Sequence, residues 1–288
     1  MNILFPTDFS ENSQVALQYA IDLIKNQGGK ITLAHIYKVP MMEGIGMGSL
    51  DNFSGGPGDR LQSKVAEDIH EESIENLNLM ATKYDLEDSQ YSFIAKEGVV
   101  SDEIDKLLSD GAYDVVVLAF RNETSQKGIF FGGLANHLIT TSNCPVIAVP
   151  PKAEFVDFKR IMYATDLAHD EHGALTWLVQ LAKPHNATIR FIHVGEYEDE
   201  KASMAQELCN SLDYDDIEFQ VVEGTNIAKT LLESANDEHA EIFSVTTHTL
   251  TLFQKIFHDS FSEEILNNIN IPFIGFSDIS NDKLDEDF

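Results

Sequence analysis

The chain has 288 residues, 43% of them hydrophobic and 23% charged, a composition that predicts a globular protein with room for two domains. Its 19 basic and 48 acidic residues give a net charge of −29, which argues against nucleic acid and membranes as partners. No apolar run reaches the roughly 18 residues of a membrane span, and the start lacks the basic residues of a signal peptide. The two cysteines, Cys144 and Cys209, are too few for a disulfide framework, so we expect a cytoplasmic protein.

The first half alternates apolar runs with amphipathic segments. Strands are predicted over 2–6, 30–36, 90–95, 113–118 and 145–149, and helices over 13–26, 60–84, 99–109 and 134–142. In the first helix Val15, Tyr19 and Leu23 recur at helical spacing and mark the buried face. The strands are nearly continuous apolar runs, which is typical of strands covered on both faces. This alternation predicts an α/β fold with a doubly wound parallel sheet.

The second half repeats the first, with strands predicted over 160–164, 188–194, 217–222, 241–245 and 272–276. Four landmarks recur in the same order: Pro6-Thr7-Asp8 with Ala164-Thr165-Asp166, His35 with His193, Glu97-Gly98 with Glu223-Gly224, and Pro145 with Pro272. The offset is 158 residues for the first two landmarks and then drops to 126 and 127. The second copy therefore lacks a segment between its second and third strands, where the first copy has the Met/Gly-rich stretch 41–58 and a long helix.

We predict a first domain over 1–150, a second over 155–277 and a frayed acidic tail over 278–288, with a linker at 151–154. We expect one sheet for each half rather than a single sheet running through the whole chain. Two histidines at matching strand ends, His35 and His193, are predicted to be hydrogen-bonded core or rim residues. Cys144, which precedes a proline at a strand start, is predicted to be buried and unreactive.

The stretch that follows the fourth strand of the first half is the strongest functional signal. Ala119 and Asn122 are followed by nine residues and then by Gly132-Gly133, where a helix is predicted to begin. A buried strand, a long loop and a helix start rich in small residues together favour a site for a phosphorylated ligand.

These landmarks and this spacing resemble the universal stress protein family, whose nucleotide loop reads Gly-x-x-Gly-x9-Gly-Ser/Thr. Here Ala119 and Asn122 replace two glycines, and Gly133 replaces the hydroxyl residue. The resemblance covers residues 1–277. It implies an adenine nucleotide alpha hydrolase-like fold with strand order 3-2-1-4-5 in each half, and an intramolecular pseudo-dimer in which the two domains meet through their last strands.

The resemblance also implies a nucleotide site in the first domain. Its expected residues are Pro6 and Ile36 at the adenine, Asp8 at the ribose, and Ala119, Arg121, Asn122, Gly132 and Gly133 at the phosphates. ATP or AMP would be the ligand, with Mg²⁺ if it is ATP. The matching positions of the second half are Thr246, Thr249, Asp259 and Ser260. They keep no glycine and add a carboxylate, which predicts a degenerate second site.

Several alternatives stay open at this point. Asp8 and Asp166 fit a cap on the following helix as well as a ligand contact.

The protein is either a stress-response module that binds a nucleotide without turnover, or an interaction protein with a decayed site that acts through protein partners or an apolar ligand. A slow ATPase is a third alternative, although no nucleophile and base stand together. No metal site is expected at His169 and His172. The domains pair within the chain, and a homodimer is a further option.

Overall fold

The computed structural model describes residues 1–40, 57–84, 86–87, 89–119, 123–125, 128–130, 133–165, 167, 171–196, 198–246 and 271–287. Several predicted positions lie outside these described residues: Arg121, Asn122, Gly132, Asp166, His169, Thr249, Asp259 and Ser260. Most of the Met/Gly-rich stretch, from 41 to 56, lies outside them as well.

The first half contains the predicted strands and helices, with small shifts of their ends. They are β1 (Asn2–Pro6), α1 (Glu11–Gln27), β2 (Lys30–Tyr37), α2 (Pro57–Lys83), β3 (Tyr91–Glu97), α3 (Val100–Ser109), β4 (Val115–Ala119), β5 (Glu123–Ser125), β6 (Gly128–Phe130), α4 (Gly133–Thr141) and β7 (Val146–Val149). The stretch between β4 and α4, predicted as a loop, contains the short antiparallel hairpin β5–β6.

The second half repeats this order over its described residues, with a shorter connection between its second and third strands. Its elements are β8 (Arg160–Thr165), α5 (His172–Ala182), a 3₁₀ turn (Lys183–His185), β9 (Thr188–Val194), α6 (Asp199–Ser211), β10 (Ile217–Val222), α7 (Ile227–Asp237), β11 (Ile242–Thr246), β12 (Phe273–Phe276) and α8 (Asp278–Asp287). None of the helices within the described ranges combines the length and hydrophobicity that a membrane span requires.

Ten strands form one sheet, in the order β10-β9-β8-β11-β12-β7-β4-β1-β2-β3. Each half keeps the order 3-2-1-4-5 with parallel neighbours, as expected. The two last strands, β7 and β12, pair antiparallel, with Phe273 opposite Ala148. The expectation of one sheet for each half is therefore wrong. The halves meet edge to edge through their last strands, and that pairing is what makes the sheet continuous.

Both faces of the sheet are covered by apolar cores that extend across the two halves. On one face Phe5 and Leu17 of the first half share a buried cluster with Tyr163 and Leu178 of the second. On the other face the first-half residue Leu138 shares a cluster with second-half side chains. Because both cores cross the β7–β12 junction, burial of apolar area holds the halves together in addition to the backbone hydrogen bonds.

The Glu-Gly landmark has a steric explanation in both halves. A Cβ atom on Gly98 would lie 2.5 Å from Cγ of Glu103, in the first turns of α3. A Cβ atom on Gly224 would overlap the hydroxyl of Thr230 in α7. The glycine therefore lets the helix that follows the third strand pack closely against its own connection.

The last residues are not a frayed tail, and that expectation is wrong for 278–287. They form α8, whose side chains Ser280 and Asn281 are buried. The amide oxygen of Asn281 accepts a hydrogen bond of 2.9 Å from the backbone N–H of Ala174 in α5. The acidic residues indicated solvent exposure, whereas the docked side of the helix is made of small polar residues that find partners. The bounds of the two domains stay predictions.

Candidate functional site

A cavity of about 370 Å³ opens where β1, β2 and β4 end and α4 begins. It is lined by Pro6, Thr7, Asp8, Ser13, Ala34, His35, Ile36, Val100, Leu118, Ala119, Gly133, Leu134 and Ala135. The neighbours β1 and β4 are the strands at which the order of the sheet reverses, which is the usual ligand position in open α/β sheets. Of the eight predicted site residues, five line this cavity, and the other three lie outside the described residues.

The connection from β1 to α1 forms one wall of the cavity. The hydroxyl of Thr7 accepts a hydrogen bond of 3.0 Å from the backbone N–H of Phe9, which adopts a left-handed φ of 62°. A carboxylate oxygen of Asp8 accepts from the backbone N–H of Ser10 at 3.1 Å and from the hydroxyl of Ser13 at 2.7 Å. The helix cap itself is Ser10. Asp8 therefore supports the cap and also lines the cavity, so the geometry is compatible with both interpretations of this residue.

His35 is a hydrogen-bonded rim residue, as predicted. Its Nδ1 lies 2.8 Å from the backbone oxygen of Thr7, and its ring centroid lies 4.4 Å from that of Phe9. Because a carbonyl oxygen only accepts, Nδ1 must carry the hydrogen. This bond and the ring contact fix the orientation of the imidazole at the cavity rim.

The second half repeats the histidine bond and the threonine bond of this connection. Nδ1 of His193 lies 3.1 Å from the backbone oxygen of Thr165, whose hydroxyl accepts a bond of 2.8 Å from the N–H of Leu167. Leu167 has a φ of 56°, a conformation that is rare for a large side chain. The prediction of a hydrogen-bonded His193 is confirmed as well.

The start of α4 brings backbone donors to the opposite wall. The first N–H groups of a helix have no partner within the helix, and together with the helix dipole they favour anions. A Cβ atom added to Gly133, the first residue of α4, would meet no atom within 4 Å. Among the described residues this helix end is open, and the described lining of the cavity that it faces includes no Lys or Arg and a single carboxylate, Asp8.

Several lining residues were not found from the sequence. Ala34 and Val100 were missed, although Val100 stands two residues after the Glu-Gly landmark. The landmark was thus a usable signal for Val100.

Within the part of the chain that the structure describes, no three His, Cys, Asp or Glu side chains come together as a metal site.

The cysteines take no part in the cavity. Both thiols are free and buried. Burial raises the pKa of Cys144 to about 11, and it does the same for Cys209. The prediction of a buried, unreactive Cys144 is confirmed in its structural part.

The equivalent of Ala119 in the second half is Thr246, which is almost completely buried. Its hydroxyl forms a short hydrogen bond with the hydroxyl of Tyr163. The rest of the predicted second site lies outside the described residues, so its degeneracy stays a prediction.

Comparisons with known proteins identify the family. A model described as the universal stress protein family matches residues 1–150 and 157–274. Universal stress protein MJ0577 of Methanocaldococcus jannaschii is 26% identical over 159 residues, which are 52% of this chain and 94% of that protein. Universal stress protein MJ0531 of the same organism is 25% identical over 153 residues, 53% of this chain and 84% of that protein.

A solved structure supports the fold over the whole length. The crystal structure of a universal stress protein from Archaeoglobus fulgidus aligns with a TM-score of 0.67 and 18% identity, covering 96% of this chain and 98% of that one. Together with the two segments that the family model matches, this shows that the chain belongs to the universal stress protein family and contains two of its domains in tandem.

Proposed function

We propose that the first half binds an adenine nucleotide, ATP or AMP, as a stress-response module without efficient turnover. The supporting observation is that Pro6, Asp8, Ile36, Ala119 and Gly133, taken from four separate segments, line one cavity. Its volume of about 370 Å³ falls within the range of small-molecule sites, about 300–1,000 Å³. A random set of sequence positions would not converge in this way.

The lining suggests how the nucleotide would lie. Pro6, Ile36 and Val100 offer apolar surface for the base. Asp8 is placed to accept from ribose hydroxyls, and the phosphates would approach the first N–H groups of α4 at Gly133. In this arrangement the ligand crosses the carboxyl end of β1, from β2 to β4.

Phosphate binding in this cavity would depend mainly on the start of α4. With no Lys or Arg among the described lining residues, phosphate charge would be met mainly by backbone N–H groups and the α4 dipole. One carboxylate does not make a protein cage for Mg²⁺. The ion would therefore accompany ATP, held mostly by phosphate oxygens and water.

The substitution Gly133→Asp tests the proposal. Its Cβ atom meets nothing within 4 Å, and a carboxylate in the first turn of a helix favours the helix dipole, so the fold should persist. The same carboxylate repels phosphate. Titration calorimetry and thermal unfolding should show binding and a raised Tm for the wild type with ATP or AMP, worth about 2.7 kcal/mol at a hundredfold excess over Kd. Both signals should disappear in Gly133→Asp.

The matched control is Asn226→Asp. Asn226 caps α7, where its side-chain oxygen accepts from the N–H of Lys229 at 3.0 Å. Aspartate keeps that acceptor and adds the same single charge at a helix start away from the cavity. This variant should bind like the wild type. If the wild type shows no binding to ATP or AMP, with or without Mg²⁺, or if Gly133→Asp binds normally, the proposal is wrong.

A further inference from the structure

A second cavity, of about 590 Å³, lies between the two halves at the amino ends of the first-half strands. Asp114, just before β4, and Asn143, just before β7, line it together with Gln27 at the end of α1. From the second half, Trp177 of α5 and Lys283 of α8 line it. None of its lining residues belongs to the cavity of the proposed nucleotide site, so the two cavities are separate.

The two halves form the same hydrogen bonds at the amino ends of their first and fourth strands. The N–H of Asn2 donates to the carboxylate of Asp114 at 2.6 Å, and the N–H of Arg160 donates to the carboxylate of Glu241 at 3.0 Å. In the opposite direction, the N–H of Asp114 donates to the oxygen of Asn2 and that of Glu241 to the oxygen of Arg160, both at 2.9 Å. The amino ends of the halves can therefore be compared residue by residue.

In the second half, the chain's own aromatic rings pack at this end of the sheet. They come from the connection between β7 and β8, residues 150–159. The ring centroid of Phe155 lies 5.0 Å from that of Tyr19 in α1, in an edge-to-face arrangement. The ring centroid of Phe158 lies 4.0 Å from that of His185, and Phe158 is 1% exposed. This end of the second half thus takes up two phenyl groups.

The equivalent positions of the first half border the cavity instead. The offset of 158 residues that relates the first strands and helices pairs Tyr19 with Trp177 and His185 with Gln27. Trp177 and Gln27 both line the cavity. The repeat therefore indicates which group suits this space, namely an aromatic ring against an indole and a planar amide.

The cavity also has one side chain of each charge. Lys283 forms no ion pair with any described residue, so its ammonium is available to an anionic group. Asp114 uses Oδ2 for the N–H of Asn2, and this oxygen lies 3.9 Å from the ammonium of Met1. Oδ1 of Asp114 accepts no hydrogen bond from the described part of the chain. A ligand with both a carboxylate and an ammonium group would match this pair of charges.

Two side-chain amides of the lining add acceptors. The amide of Asn143 donates to the backbone oxygen of Leu108 at 2.8 Å, and that of Gln27 donates to the backbone oxygen of Leu181 at 3.4 Å. Because a backbone oxygen only accepts, the NH₂ group of each amide is directed away to that bond. The amide oxygens remain, and acceptors in the same lining as a carboxylate suit an ammonium group.

We propose that this second cavity binds an aromatic α-amino acid. The ring would lie beside Trp177 and Gln27, as the two phenyl groups lie beside the equivalent residues of the second half. The carboxylate would pair with Lys283, and the ammonium group would donate to Asp114 and to the amide oxygens. An aromatic acid or an aromatic amine alone would satisfy one of the two charges, and an aliphatic amino acid would leave the aromatic contact unmade.

Titration of the full-length protein with L-phenylalanine tests the proposal. Trp177 is the single tryptophan of the chain, and phenylalanine does not absorb where tryptophan can still be excited, so Trp177 emission reports binding directly. The emission should change with saturation, and calorimetry should give the same Kd. L-Leucine, phenylacetate and phenethylamine, which each lack one of the three groups, should bind at least about tenfold more weakly. No saturable binding of L-phenylalanine, or equal binding of all four compounds, would overturn the proposal.

Two variants assign the charges. Lys283→Gln should weaken L-phenylalanine at least about tenfold and leave phenethylamine, which has no carboxylate, unchanged. Asp114→Asn keeps an acceptor for the N–H of Asn2, and it should weaken L-phenylalanine while leaving phenylacetate unchanged.

The matched control is Lys201→Gln in α6, which removes the same charge at a residue that pairs with Glu198 and does not line the cavity. This variant should bind L-phenylalanine like the wild type. If Lys283→Gln also binds like the wild type, or if Lys201→Gln weakens binding as much as Lys283→Gln does, the assignment of the cavity is wrong.

Discussion

The two halves form the same connection after their first strand and differ at the strand ends around it. Thr7, Phe9 and His35 in one half make the hydrogen bonds that Thr165, Leu167 and His193 make in the other. The duplicated geometry includes a left-handed residue at the same place. Since both halves form these bonds, the histidine of this connection is by itself poor evidence for a ligand. The proposed nucleotide site of the first half therefore rests on the whole cavity lining, which also includes Ala119 at the end of β4 and Gly133 at the start of α4.

The strand ends themselves show the difference. In the second half Tyr163 and Thr246 join their hydroxyls in the core. The equivalent residues of the first half are Phe5 and Ala119, which have no hydroxyl, and Ala119 instead lines the cavity. The second half thus has a buried polar pair at this strand end, whereas the small apolar residue of the first half borders the cavity.

The largest expected effect comes from the place where the halves join. A Cβ atom on Gly275 of β12 would lie 2.6 Å from Cγ2 of Ile139 in α4, whereas the first half carries Ala148 at the equivalent position. Gly275→Ala should lower the free energy of unfolding by about 1–3 kcal/mol through overpacking. Urea denaturation measures the loss.

Two further variants sharpen this test. Gly133→Ala, whose Cβ atom meets no atom within 4 Å, should change the free energy of unfolding by less than about 0.5 kcal/mol.

The double variant Gly275→Ala/Ile139→Ala should lose less unfolding free energy than the sum of the losses of the two single variants, because the alanine at 139 makes room for the new methyl group. Strict additivity would show that Gly275 and Ile139 do not limit the contact between the halves.

A comparable effect, which a second substitution should partly reverse, is expected when the polar pair of the second half is introduced into the first. Phe5→Tyr buries a hydroxyl beside Ala119, and it should cost about 1–3 kcal/mol of unfolding free energy. Adding Ala119→Thr should recover about 1 kcal/mol by restoring the partner that Tyr163 has in Thr246. Denaturant titration of the single and double variants measures both steps. No recovery in the double variant would mean that the two strand ends differ in more than this pair.

The smallest effect concerns a charge cluster of the first half. The carboxylate of Glu103 lies 2.6 Å from the ammonium of Lys106 and 2.5 Å from that of Lys96, and these hydrogen bonds lower its pKa. The second half has Lys229 at the equivalent position. A lowered carboxyl pKa stabilises the fold above the unfolded pKa of about 4.3, and this contribution is lost as the pH falls through the folded value.

The variant Glu103→Gln should therefore be less stable than the wild type near pH 7, and the difference should shrink toward pH 3 or so. Urea midpoints at the two pH values provide the measurement. A difference that stays constant with pH would assign the effect of the substitution to packing against Gly98 and not to charge.

Much of the fold follows from local pattern. Apolar runs and helical spacing predicted the strands of both halves and the helices of the first, because an element covered on both faces needs an apolar sequence whatever surrounds it. The order of Pro6-Thr7-Asp8, His35 and Glu97-Gly98 predicted the duplication. Of the candidate site, the sequence predicted five residues that converge. It missed Val100, because the landmark marks the start of α3 and only the fold brings that start to the cavity.

Only the tertiary structure decided how the halves join and where the chain ends. No local pattern distinguishes a last strand that stays at an edge from one that pairs with its counterpart, as β7 does with β12. The residues of α8 read as solvent-exposed because they are polar and acidic. The burial of Ser277 and Asn281 depends on partners more than a hundred residues away, the oxygen of Ser142 and the N–H of Ala174, which only the folded chain brings within hydrogen-bond distance.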